Sequence, residues 1–206
     1  MLDLKTEKEI MKAGYPLIAG IDEAGRGPLA GPVVAACVII DANFNLNDQD
    51  LTLVTDSKKL SPTKRNALFK IIKDKVLAVE IGVVNNDVID KINILQASFL
   101  AMRHSLKKIP LKPDFILVDG KYPIPRITTP QKAIIGGDSN TWVIAAASII
   151  AKVSRDWLMT EFHKEYPQYN FKKHKGYGTK EHLQALAQFG PCPLHRRSFA
   201  PLKKIN

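Results

Sequence analysis

The chain is poor in the features that mark several common architectures. It has two cysteines among 206 residues, Cys37 inside an apolar run and Cys192 in a Pro-rich loop, with no metal-ligand spacing between them. Thiols so far apart build neither a disulfide framework nor a zinc site, and they suit a reducing cytoplasm. Long apolar runs are missing as well. The longest, Trp142 to Ala151, is far too short to span a bilayer, and the N-terminal MLDLKTEKEI is charged rather than leader-like. No segment ends in the Gly-Lys-Ser/Thr of a phosphate-binding loop, which argues against nucleotide hydrolysis. Internal repeats and low-complexity tracts are also lacking. The expectation is a cytoplasmic, monomeric protein with no membrane contact.

Acid is the scarce charge: 20 Asp and Glu stand against 30 Lys and Arg, a net charge of +10. Residues 150–206 carry eleven Lys/Arg against four Asp/Glu, so seven of those ten positive charges sit in the last 57 residues. That asymmetry favours a surface for a polyanion, with nucleic acid as the first candidate. At this length, with 45% hydrophobic residues, one domain over 1–206 is expected, with 167–206 as a basic, helical, substrate-binding appendage.

Against this basic background two adjacent acids stand out. Residues 17–32 read LIAGIDEAGRGPLAGP, an apolar strand that delivers Asp22 and Glu23 into the loop Gly25-Arg26-Gly27. Desolvation and mutual repulsion oppose two like charges there unless a cation compensates. Oxygen donors without a neighbouring His or Cys point to a hard divalent ion, Mg²⁺ or Mn²⁺. The loop itself sets bare backbone beside a fixed cation, which suits a phosphate or a sugar. The glycine spacing also matches a dinucleotide fingerprint, but Pro28 and Pro32 flank a second apolar run, VVAACVII, where that fold requires a helix. A hairpin with two solvated acids at its tip is the competing structural reading.

Strands are predicted near 17–22, 33–40, 76–84 and 115–120, with a turn-rich segment at 41–50. Ser61 and Pro62 open a helix over 61–75 by capping and by proline at the first helical position. Apolar spacing from Val88 to Leu106 suits one broken helix or two short ones over 86–109. The longest helix runs from about Thr141 to Tyr166, with Asp138-Ser139 ahead of it as a capping pair, and a last one near 180–189 stops at Gly190-Pro191. The pattern predicts an α/β fold, a mixed sheet covered by helices, with the site at strand ends.

Asp119 closes the run FILVDG as Asp22 closes its own, and Asp138 follows Gly136-Gly137. With Glu23 they make four carboxylates, enough to hold two hard cations roughly 3.5–4 Å apart as in phosphoryl transfer. Asp138 reads equally as a helix cap, and Asp119 as a turn former.

GIDEAGRGPLAGPVVAA at 20–36, DSKKLS at 56–61, LVDG at 117–120, AAASIIAKVSRD at 145–156 and HKGYGTKEH at 174–182 closely resemble bacterial ribonuclease HII, the type 2 ribonuclease H. The motifs run in order through nearly the whole chain. Only the first 12 or so residues and the loop at 41–50 look unconstrained. The resemblance implies a ribonuclease H-like fold. It also implies an endonuclease that hydrolyses the RNA strand of RNA/DNA hybrids and incises 5′ of single ribonucleotides in duplex DNA, leaving 3′-hydroxyl and 5′-phosphate ends. Carried onto this chain, it makes Asp22, Glu23, Asp119 and Asp138 the catalytic, metal-binding acids for two Mg²⁺ or Mn²⁺ ions. It makes Gly25, Arg26 and Gly27 the loop that reads the ribose 2′-hydroxyl, and Tyr177 the ribonucleotide-sensing tyrosine. Without the resemblance, a Tyr between two glycines reads as a turn residue.

Other basic residues are candidates on position alone. Lys58 and Lys59 precede the Ser61 cap and could meet a phosphate there, or form a solvated turn. Lys152 and Arg155 share a helix face and could contact the substrate backbone, or pair with Asp156. His163, His174, His182 and His195 lack ligand spacing, although His174 and His182 could border the site. A transposase or integrase core shares the carboxylate chemistry, and a noncatalytic basic module would share the charge. The tail RRSFAPLKKIN carries no motif that identifies a clamp or another protein partner.

Overall fold

Val33–Ile40 is apolar at every position because helices cover both faces of its strand. The computed structural model describes residues 2–204, and this strand, β2, lies second in a five-stranded sheet. Its neighbours are β1 (Ile18–Ala24) and β3 (Ala78–Val84), both antiparallel to it. Beyond β1 run β4 (Phe115–Asp119) and then β5 (Gln131–Ile134), both parallel. The order is β3-β2-β1-β4-β5, the expected mixed sheet; β5 was not predicted, because QKAI is too short and too polar to read as a strand.

Alternation along each strand divides the core in two. Ile18, Ala36, Val38 and Leu117 face one cluster, built on the helices α2 (Pro62–Lys75) and α4 (Trp142–Glu165). Ala19, Ile21, Cys37 and Val118 face the other, built on α3 (Asn86–Lys108). Gly20 lets α4 lie directly on β1, since a Cβ there would stand 2.3 Å from the Val143 carbonyl oxygen. The helix α3 is the predicted broken one. Asn93 sits at φ 64° inside it, and its side-chain oxygen accepts from the amides of Leu95 and Gln96, which restarts the helix.

Two expectations fail at the start of α4. Asp138 and Ser139 lie in a 3-10 turn, Gly137–Ser139, and the cap position falls to Thr141, which makes no side-chain cap bond. The acceptor comes instead from the N-terminal helix α1 (Lys5–Lys12), where buried Glu7 takes a hydrogen bond from the Val143 amide at 2.9 Å. The first dozen residues are therefore tied to the core rather than unconstrained. The C-terminal helices α5 (Phe171–His174) and α6 (Lys180–Phe189) share a third, smaller core with Leu29, Ala30 and Met159.

Candidate active site

The pairing of β1 with β4 ends at Ile21–Val118, so one further step of register brings Asp22 beside Asp119. Both point to the face covered by α4, where Ser148 hydrogen-bonds Asp22. Glu23, next in the strand, points to the opposite face. The strand predicted to close at Asp22 continues to Ala24, so Glu23 as well as Asp22 lies within β1.

A cleft of about 380 Å³ opens where β4 stops, lined by Asp22, Glu23, the Gly25-Arg26-Gly27 loop, Ser57, Lys58, Asp119, Ser148, Lys152 and Tyr177. The loop, the strand-end acids, and a tyrosine about 150 positions away thus meet in one place. Asp138 borders this cleft through Lys58, whose Nζ lies 3.1 Å from Asp138 Oδ2. Asp119 Oδ1 accepts from the Gly137 amide at 2.7 Å, and Glu23 Oε1 from Arg26 Nη1 at 2.9 Å.

The carboxylates disturb one another. Burial raises the Asp22 carboxyl well above the ordinary range, and the charges of Glu23 and Asp119 push it further. Burial also raises Glu23, against the pull of Arg26, and raises Asp119, with help from the charge of Asp138. Among the described residues no three acid, His or Cys side chains stand gathered as a ready cage. The reason is visible in the contacts: Glu23 is drawn onto Arg26 and Asp138 onto Lys58, while Asp22 and Glu23 leave the strand on opposite sides. The donor set nevertheless fits a hard cation. Glu23 Oε2 is buried without a hydrogen-bond partner, and three carboxyls are crowded into a cleft with too little counter-charge.

Of the basic candidates, Lys152 lines the cleft, paired with Asp156 at 2.7 Å and with its Nζ 5.7 Å from the Tyr177 ring centre. Lys59 lies outside the lining and reaches Ser139 Oγ at 3.4 Å. Lys58 answers Asp138 rather than a helix N-terminus: it sits in the 3-10 turn Ser57–Lys59 ahead of α2, with its Nζ on Asp138. Arg155 is not a substrate contact. It is wholly buried, with its guanidinium hydrogen-bonded to the carbonyls of Pro32, Ala30 and Lys175.

The histidines do not line the cleft, but His174 and His182 border it from behind as expected: the Tyr177 amide donates to the His174 carbonyl and His182 Nδ1 lies 2.9 Å from the Tyr177 carbonyl oxygen. His174 and His182 stack at 4.4 Å within the C-terminal core, and His182 Nε2 meets His195 Nε2 at 3.0 Å. Burial lowers both His182 and His195 to about 4, so both rings are neutral at pH 7. Sequence reasoning missed Ser57, whose hydroxyl meets that of Ser148 at 2.9 Å, and Arg196, which grips the glycine loop from behind. A single serine in the turn DSKKLS, or one of the two arginines in RRSF, carries no periodic signal that would have exposed either.

No helix among the described residues is long and apolar enough to cross a membrane. The family model for ribonuclease HII matches residues 19–202. Ribonuclease HII of Geotalea daltonii is 51% identical over 201 residues, covering 98% of this chain and 90% of that protein. That of Endomicrobium trichonymphae is 50% identical over 199 residues, 97% of this chain and 92% of that one. The crystal structure of ribonuclease H2 from Pyrococcus horikoshii OT3 shares the fold with a TM-score of 0.74 at 28% identity, covering 92% of this chain and 96% of that one.

Proposed function

The chain belongs to the ribonuclease HII family, metal-dependent endoribonucleases that act on the RNA strand of RNA/DNA hybrids, and from that premise we propose a finer reading of its cleft. It incises duplex DNA on the 5′ side of a single embedded ribonucleotide as well as cutting continuous hybrids, leaving 3′-hydroxyl and 5′-phosphate ends. The observation that carries this is the meeting of the Gly25-Arg26-Gly27 loop and Tyr177 beside Asp22 and Asp119 in one cleft.

Asp22, Glu23, Asp119 and Asp138 would hold two Mg²⁺ or Mn²⁺ ions, which when bound supply an activated water and charge stabilisation for the leaving oxygen. Two of the acids have a basic partner that such binding would displace or share: Arg26 for Glu23 and Lys58 for Asp138. Arg26 and Lys58, once released, are placed to meet substrate phosphates at the rim. Lys152 stands beside Tyr177 for the same purpose. The exposed loop presents main chain to the sugar, and the Tyr177 hydroxyl can hydrogen-bond the 2′-hydroxyl that distinguishes RNA from DNA.

The test is incision of duplex DNA carrying one ribonucleotide, beside an all-DNA duplex and a continuous hybrid, with Mg²⁺ or Mn²⁺. Cleavage at the ribonucleotide with the all-DNA control intact is expected. Cleavage of the hybrid alone would confine the enzyme to continuous RNA tracts, and joining of DNA ends would indicate an integrase-like reaction instead.

A further inference from the structure

A guanidinium with no carboxylate among its hydrogen-bond partners in the described residues lies fully buried behind the glycine loop. Arg196 is 0% exposed, and its Nη2, Nη1 and Nε donate to the carbonyls of Gly25 at 2.6 Å, Arg26 at 2.9 Å and Gly31 at 3.0 Å. Burial, aided by the like charge of Arg155, lowers its pKa to about 9, which still leaves it charged at pH 7. A buried cation is expensive, so an arrangement that spends it wholly on main-chain carbonyls marks a place where backbone orientation matters.

The peptide plane makes the consequence specific. In a trans peptide the carbonyl of one residue and the amide of the next point in opposite directions. With the carbonyls of Gly25 and Arg26 drawn inward onto Arg196, the amides of Arg26 and Gly27 are turned outward. Both residues are exposed and line the cleft, and neither amide donates a hydrogen bond within the protein among the described residues. Two free donors therefore face the place where sugar and phosphate must pass.

Arg196 is itself held by pairing with the far side of the loop. Its amide donates to the Leu29 carbonyl at 2.8 Å, the Gly31 amide donates to the Leu194 carbonyl at 2.9 Å, and His195 bridges to Ala30 between them. Arg155 closes the next layer through Ala30 and Pro32. The C-terminal segment thus reaches back under the loop and supports it.

We propose that Arg196 is a positioning residue for ribonucleotide recognition: it presets the amides of Arg26 and Gly27 as donors to the 2′-hydroxyl and neighbouring phosphate of the substrate. This rests on the reading of the loop given above. Lysine keeps the charge but cannot reach three carbonyls from one planar fork.

The experiment compares wild type with Arg196→Lys and with Arg196→Ala in the presence and absence of methylguanidinium. It measures kcat and KM on the single-ribonucleotide duplex and on a continuous hybrid, with thermal melting and backbone order parameters of Arg26 and Gly27 alongside. Arg196→Lys should melt cooperatively and lose about tenfold or more in kcat/KM on the single ribonucleotide, with less lost on the hybrid. The two amides should become more mobile, and methylguanidinium should restore part of the activity of the alanine variant. Equal losses on both substrates, or an unchanged ratio, would reduce Arg196 to a stabilising contact. Should neither variant fold, the wild type decides: mobile Arg26 and Gly27 amides in the intact protein overturn the proposal, and ordered ones support it. Wild-type incision of the ribonucleotide duplex but not of all-DNA keeps the reading of the site intact whichever way Arg196 falls.

Discussion

A Cβ placed on Gly27 would lie 3.8 Å from Cε1 of Tyr177, so the glycine loop and the tyrosine of the C-terminal region face one another across the mouth of the cleft with about a methyl's space between them. The two were about 150 positions apart in the chain. What joins them is the third core, where Leu29 and Ala30 pack with residues of the C-terminal helices and the Leu29 amide donates to the Gly176 carbonyl. A substrate sugar entering beside the loop must therefore pass the tyrosine.

The two loop glycines should fail differently. Gly25 has φ +98°, and a Cβ there would overlap Arg155 and approach the Pro32 carbonyl oxygen at 2.8 Å, whereas Gly27 meets only the tyrosine ring. Gly25→Ala should destabilise the protein by more than about 1 kcal/mol and lower the melting temperature. Gly27→Ala should melt almost as wild type and lose activity on ribonucleotide substrates, because the methyl crowds the space before Tyr177. Thermal melts with cleavage assays check this, and equal melting points for the two variants would refute it.

Asp119→Asn should abolish cleavage while leaving hybrid binding within a few-fold. The amide keeps the shape and can still accept from Gly137, but it lacks the charge that anchors a cation, so chemistry should fall far more than affinity. Retention of more than a tenth of wild-type turnover at saturating Mg²⁺ would remove Asp119 from the metal-binding set.

The crowded acids should also cost stability when no cation is present. Burial raises the folded pKa values of Asp22 and Asp119 above the ordinary 3.8, and so the native state holds their protons more tightly than the unfolded chain does. Their contribution is fully favourable below about pH 4 and is lost as the pH climbs through the raised folded values. In EDTA at pH 7, Asp22→Asn should therefore be more stable than wild type, by about 0.5–2 kcal/mol, with the advantage fading on acidification. Added Mg²⁺ should raise the wild-type melting temperature more than that of the variant. An asparagine variant less stable than wild type in EDTA at pH 7 would show that the carboxylates are not in conflict.

How much of this was legible in advance depends on whether a residue's role is local. Ser61-Pro62 announced α2 and the all-apolar VVAACVII announced β2, because capping chemistry and two-sided burial are written in consecutive residues. The four acids were singled out by strand ends and glycine turns, and of them Asp22, Glu23 and Asp119 line one cleft while Asp138 adjoins it through Lys58. The capping of α4 was misread, since its acceptor is Glu7, 136 positions upstream of the Val143 amide. Arg155 was misread for the same reason: helix spacing places it on a face, but only the tertiary fold shows that this face is covered by the 30–32 segment. The histidines of the C-terminal motif border the site as their place in the motif suggested, but stacked behind Tyr177 rather than in the cleft lining.

The basic C-terminal region should show itself in salt. Lys172, Lys173 and Lys175 line a groove with the exposed Trp157 along the same helix that carries Lys152. Lys173 reaches Glu181 at 2.8 Å and Lys175 reaches Thr160 at 2.9 Å, neither a partner that would outcompete a duplex. Affinity of a cleavage-dead variant for duplex should fall steeply with salt, with a slope near −0.9 per phosphate contact, and neutralising the three lysines should flatten it. An unchanged slope would leave them as solvated surface.

Tyr177 separates reading the substrate from cutting it. Tyr177→Phe removes one hydroxyl and keeps the ring, so loss of a hydrogen bond to the 2′-hydroxyl should cost about 0.5–1.5 kcal/mol, a few-fold to about tenfold in rate. Tyr177→Ala should cost more, because the ring over which Lys152 lies is removed as well. The loss should be larger on a single embedded ribonucleotide than on a continuous hybrid, where neighbouring ribonucleotides help to hold the strand. Mn²⁺ affinity by calorimetry should not move, since the phenol touches no carboxylate of the site. Cleavage of both substrates by wild type and the two variants checks this. Equal losses on both, or weaker Mn²⁺ binding in the alanine variant, would make Tyr177 a turn residue and leave recognition of the ribose to the Gly25-Arg26-Gly27 loop alone.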